Sequence, residues 1–65
     1  MIYMHDNCTG ISYFFGDKYD LEETLRVIFV SSAEVDSAIE HIVRNIGRER
    51  IADQCAFLNI EITIA

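Results

Sequence analysis

The segment SSAEVDSAIEHIVRNIG, residues 31–47, constrains the fold more than any other part of this 65-residue chain. Ser31 followed by Glu34 has the spacing of a capping box, in which each side chain satisfies a backbone N–H at the helix start. Val35, Ala38, Ile39, Ile42, Val43 and Ile46 then recur at helical spacing, and Gly47 supplies a C-terminal stop. Glu34 and Asp36 lie near the positive end of the helix dipole and Arg44 near the negative end. The pattern predicts one long amphipathic helix over about 32–46. Its apolar stripe requires a second layer to pack against.

That layer is readable as strands. In MIYMH, residues 1–5, Ile2 and Met4 share one side and Tyr3 and His5 the other. The turn formers DNCTG at 6–10 read as a hairpin connection to ISYFF at 11–15, where Ile11, Tyr13 and Phe15 share a face. In LNIEITI, residues 58–64, Leu58, Ile60, Ile62 and Ile64 alternate with Asn59, Glu61 and Thr63, which marks a strand with one buried face. RERIADQCA at 48–56 reads as an optional short helix, with Ile51, Ala52 and Cys55 on one side.

Residues 21–30 are ambiguous. Asp20 and Glu23 also have capping-box spacing, so a helix over 21–30 competes with a strand. In LRVIFV, three of six residues are Val or Ile, which lose side-chain freedom in a helix. A strand over 25–31, after one helical turn at 20–24, is therefore the preferred reading. The expected fold is a single α+β domain in the order β-β-β-α-β. It is a small three- to four-stranded, mainly antiparallel sheet covered on one face by the long helix.

A chain of this size sits near the lower limit at which one core suffices, and its 51% apolar composition favours packing over disorder. No apolar run approaches a membrane span and MIYMHDN does not read as an export signal, so a cytoplasmic chain with no membrane partner is expected. Cys8 and Cys55 are then expected as free thiols. The net charge of −6 is lopsided. Residues 1–40 hold eight acids and two bases, which accounts for all of it, while residues 41–65 are balanced. Direct nucleic-acid binding is disfavoured, because phosphates would be repelled and no basic stripe exists to release counterions.

Chemistry-bearing patterns are weak. His5 and Cys8 have H-x-x-C spacing and His41 and Cys55 supply two further zinc-type ligands, yet neither C-x-x-C nor H-x-x-x-H occurs. Cys55 lies in an apolar segment, where burial makes a thiol inert. No nucleophile elbow surrounds the serines, and Gly10, Gly16 and Gly47 are too dispersed to cradle a phosphate. The acidic run DKYDLEE, 17–23, fails as a calcium loop: its aspartates stand at positions 1 and 4, Lys18 holds position 2, and no glycine follows. No enzyme, metal or cofactor is expected.

What remains is an acidic surface. Asp17, Asp20, Glu22 and Glu23 crowd one stretch; on the long helix Glu34, Ser37, His41 and Arg44 lie on one line, while Asp36 and Glu40 form an i, i+4 acidic pair with Ser37 beside them. Residues one turn apart lie about 5–6 Å from each other. That interval is comparable to the separation of successive phosphates on a DNA strand, which rises about 3.4 Å per nucleotide. Such a surface suits a basic protein partner, and Tyr19, inside the run, is the candidate anchor. A solvated, solubility-giving face is the plainer alternative.

The whole chain, from MIYMHDNCTG to LNIEITIA, resembles small acidic anti-CRISPR proteins of the subtype I-C group carried by mobile elements. The likeness rests on length, acidity and the run of sequence rather than on a short motif. It implies a non-enzymatic inhibitor in the cytoplasm of a bacterial host. Such an inhibitor would bind a type I-C crRNA-guided surveillance complex through its large, PAM-reading subunit and block target DNA binding. The charge pattern gives the partner-binding candidates Asp17, Tyr19, Asp20, Glu22, Glu23, Glu34, Asp36 and Glu40. A monomer is expected. The alternative is a homo-oligomeric structural or regulatory module that pairs through the edge of the C-terminal strand.

Overall fold

A computed structural model describes residues 1–48 and 50–65. The elements are β1 (Ile2–Asp6), β2 (Ser12–Phe15), α1 (Lys18–Ile28), α2 (Ala33–Asn45), α3 (Ala52–Leu58) and β3 (Ile60–Ile64). The class is α+β, as expected, but the order is β-β-α-α-α-β. Three helices, not one long helix, cover a three-stranded antiparallel sheet of order β2-β1-β3.

The first hairpin follows the expected pattern, except that β2 begins at Ser12 and leaves Ile11 in the turn, half exposed. Ile2 and Met4 are buried and pair with Phe15 and Tyr13 on the same face. The turn closes through the Asp6 N–H to the Ile11 carbonyl (2.9 Å) and the Gly10 N–H to the Asp6 carbonyl (2.8 Å), with Gly10 at φ +77°. Asp6 is only 5% exposed, and its carboxylate accepts the Cys8 N–H at 2.9 Å. The turn chemistry therefore satisfies a buried charge locally.

The expected strand at 25–31 is not formed, and that is the main correction. Residues 18–28 are helical, and Asp17, not Asp20, caps them by accepting the N–H groups of Tyr19 (2.9 Å) and Asp20 (3.0 Å). Leu21 and Leu25, one turn apart, are fully buried, with Ile28 packed behind them. Two buried leucines contribute about 3–6 kcal/mol at 1.5–3 kcal/mol each. The helix propensity of Val27 and Ile28 costs at most about 0.7 kcal/mol apiece. Burial outweighs propensity, and Val27 is 79% exposed on the far side.

α2 matches the expected helix to within one residue at each end. Its cap is Ser32, whose hydroxyl accepts the Val35 N–H at 3.1 Å, and not Ser31. Ala38, Ile39, Ile42 and Val43 form its buried stripe, and Gly47 follows at φ +78°. α3 realises the optional short helix from residue 52 onward; Glu49, within the expected 48–56 span, lies outside the described residues. Leu58, expected in the last strand, instead ends α3. Asn59 turns the chain in the left-handed region (φ 57°), and β3 starts at Ile60.

Packing runs β2–α1–α2–α3–β3, so the helices form an arc over one sheet face. No described element covers the other face, which bears Tyr3, His5, Ser12, Phe14, Glu61 and Thr63. β1 uses alternate residues for its two neighbours. Asp6 bonds to β2, whereas Ala65 N–H bonds to the Met1 carbonyl (3.0 Å) on the β3 side. In this register Ser12 and Phe14 turn their backbone groups away from β1 along one edge, and Ile60, Ile62 and Ile64 do so along the other.

Candidate partner-binding surface

The eight candidate residues fall into four environments. Asp17 and Glu22 have local partners on α1. Asp17 is committed to the cap described above, and Glu22 accepts from Arg26 at 3.1 Å across one turn. Lys18, within the same run, places its ammonium 5.7 Å from the Tyr19 ring centre. Tyr19 itself is 66% exposed, so the ring is presented to solvent and is not packed over the sheet.

At the seam of α1 and α2, Arg26 also lies 3.5 Å from Asp36. The Ser31 hydroxyl donates to both Asp36 carboxylate oxygens, at 3.3 and 3.2 Å. Glu40 is held by Arg44 at 2.7 Å. The acidic pair Asp36 and Glu40 is therefore relieved by one arginine on each member, and its cost to the helix is offset. Glu22 and Asp36, distant in sequence, are the candidates that the tertiary structure brings together.

Asp20 and Glu23 lie elsewhere. They line a groove of about 480 Å³ between α1 and β2, whose other walls include Tyr13, Phe15, Val27 and Ile28. Glu34 stands apart from both, on the opposite flank of α2, beside His41, Asp53 and Phe57 of a second hollow against α3. Ser37 and His41 share that hollow with Glu34, as their helical line suggests, but Arg44 is taken up by Glu40. Among the described residues, Asp20, Glu23 and Glu34 make no ion pair.

The remaining titratable groups are dispersed. Cys8 is an exposed free thiol whose sulfur accepts the Asn59 side-chain N–H at 3.1 Å. Cys55 is a buried free thiol, and burial pushes its pKa up. Among the described residues, no group of three or more His, Cys, Asp or Glu side chains is placed to hold a metal ion. No helix among them is long and apolar enough to cross a membrane.

Sequence reasoning missed two features. The groove beside β2 depends on strand order, which no local pattern reveals. The uncovered sheet face did carry a signal: Phe14 occupies the wet side of the ISYFF alternation. It is 68% exposed and its ring lies 5.1 Å from that of Tyr3. Next to that pair, the Ser12 hydroxyl lies 2.9 Å from His5 Nδ1 and 3.1 Å from the Tyr3 hydroxyl. Comparison with protein-family models, curated proteins and solved structures finds no match to this chain.

Proposed function

We propose that this chain is a stoichiometric inhibitor of a type I-C crRNA-guided surveillance complex. In this reading its acidic helical surface occupies a basic, DNA-binding surface of the large PAM-reading subunit and blocks target DNA binding. The observation that carries the reading is the adjacency of α1 and α2. Two acid-bearing segments, 17–23 and 34–40, sit on neighbouring helices, and their acidic side chains are partly or fully exposed. A basic channel would be approached rapidly and with strong salt dependence.

Not all candidates serve this role equally. Asp17 holds the helix start, and Glu22, Asp36 and Glu40 are already partly neutralised by Arg26 and Arg44. Asp20 and Glu23, with Glu34 on the other flank, carry the charge free to meet a partner, and exposed Tyr19 supplies an aromatic anchor. The test is a DNA-binding competition with purified surveillance complex across salt concentrations. The Asp20→Lys/Glu23→Lys/Glu34→Lys chain should lose inhibition while its circular dichroism remains that of the parent. Full inhibition by that variant would reject the assignment.

A second reading is favoured by the position of β3 at a sheet edge, where, among the described residues, no further strand pairs with the outward backbone groups of Ile60, Ile62 and Ile64. It is homo-oligomerisation through that edge. Light scattering over a range of concentrations separates the two. An unchanging mass of about 7.5 kDa removes the oligomer.

A further inference from the structure

We infer that the groove between β2 and α1 binds an extended, basic polypeptide segment of the partner, which adds to the sheet as a fourth strand alongside β2. The inference rests on the reading of Asp20 and Glu23 as partner-facing and names the element they would meet. Three observations converge on this groove. First, β2 is an outer strand, and Ser12 and Phe14 direct their N–H and C=O groups away from β1. An edge of this kind is a template for a further strand.

Second, α1 runs beside that edge without closing it. The space of about 480 Å³ between them is walled by Tyr13, Phe15, Val27 and Ile28. Strand addition uses this combination: main-chain hydrogen bonds supply affinity, and alternate side chains of the incoming strand enter pockets beside the edge. Third, the charged residues of the groove are both acids, Asp20 and Glu23, and neither forms an ion pair among the described residues. That sign selects a strand carrying lysine or arginine and rejects an acidic one. It also rejects a nucleic-acid strand, whose phosphates would face both carboxylates. The β3 edge lacks this selection, since its hollow is lined by Arg50 and Glu61 together.

The probe is a synthetic octapeptide alternating lysine and valine, titrated at low salt into the ¹⁵N-labelled full chain, with an octapeptide alternating glutamate and valine as counterpart. The lysine peptide should saturate, shifting the amides of Ser12 and Phe14, which gain partners, and those of residues 20–27. The glutamate peptide should not bind. Asp20→Lys/Glu23→Lys should weaken the lysine peptide by about tenfold or more. Phe14→Pro should abolish its binding, because it removes an outward N–H while sparing the ladder to β1; Phe14→Ala, which keeps that N–H, should retain most of it.

Absence of saturable shifts, equal binding of the two peptides, or shifts confined to β3 or the uncovered face would overturn the inference. The competition assay separates this outcome from the inhibitor reading. Peptide binding in the groove by a chain that never inhibits the complex would reject the inhibitor and keep the groove. Undiminished inhibition by the Phe14→Pro chain would show that the surveillance complex does not use the groove, and would overturn the inference for that partner.

Discussion

Arg26 of α1 lies 3.5 Å from Asp36 of α2, and through this contact the two acid-bearing helices are tied by the only arginine in the first forty residues. The same guanidinium holds Glu22 at 3.1 Å, so one cation serves a carboxylate on each helix. Both pairs are partly exposed, and exposed ion pairs contribute little individually. Arg26→Gln is therefore expected to lower stability by about 0.2–1 kcal/mol. Most of that loss should disappear near 1 M salt, where the Debye length falls to about 3 Å. Urea denaturation at two salt concentrations measures it. A salt-independent loss of several kcal/mol would mean that Arg26 acts through packing instead.

The capping role of Asp17 gives a second expectation. Asp17→Ala removes the acceptor for the Tyr19 and Asp20 N–H groups and should cost about 0.5–2 kcal/mol, whereas Asp17→Asn or Asp17→Ser should cost much less. Thermal unfolding of the three variants reads the difference. If Asp17→Asn were as damaging as Asp17→Ala, charge at the helix end, and not the cap bond, would be the stabilising element.

Leu25 and Val27 distinguish the helix from the strand first expected here. A strand would place both on one face, whereas α1 buries Leu25 completely and exposes Val27. Leu25→Ala should destabilise the domain by about 2–5 kcal/mol, enough to unfold much of a chain this small. Val27→Lys should change stability by no more than about 0.5 kcal/mol. Comparable damage from both substitutions would contradict the helical assignment.

The two thiols should behave differently, and one of them should leave a pH signature. Cys8 is exposed and should react with a thiol reagent in the native state, while Cys55 should be protected until the domain opens. Burial raises the Cys55 pKa, so the thiol of the unfolded chain ionises first as pH rises. Below about pH 8.5 both states keep the proton and this group adds no pH dependence. Above it the unfolded state binds fewer protons, and stability falls until the folded thiol also ionises. The Cys55→Ala chain should lack that part of the alkaline decline. Identical slopes for the two chains would show that Cys55 makes no contribution.

Much of the architecture was legible because it is local. The ISYFF hairpin, the α2 stripe ending at Gly47 and the Ile60–Ile64 alternation are each written in residues a few positions apart, and their periods are those of the backbone itself. The α1 segment departs from its local pattern for a physical reason. LRVIFV has strand propensity, but Leu21, Leu25 and Ile28 have helical spacing, and the energy that decides between them comes from a core that does not exist until other elements arrive. The acidic candidates were likewise visible as residues, yet their division was not. Whether an acid caps a helix, meets an arginine or lines a groove depends on side-chain neighbours distant in sequence.

By itself, then, the sequence determined the α+β class, the hairpin, the central amphipathic helix and the concentration of negative charge in the first forty residues. All of these follow from composition and short-range period. Only the tertiary structure decided that residues 18–28 form a helix, that β1 is central with β2 and β3 as edges, and that Arg26 joins Glu22 to Asp36 while Asp20 and Glu23 flank an open groove. Burial and strand order are properties of the packed chain, and packing couples residues that no local pattern relates.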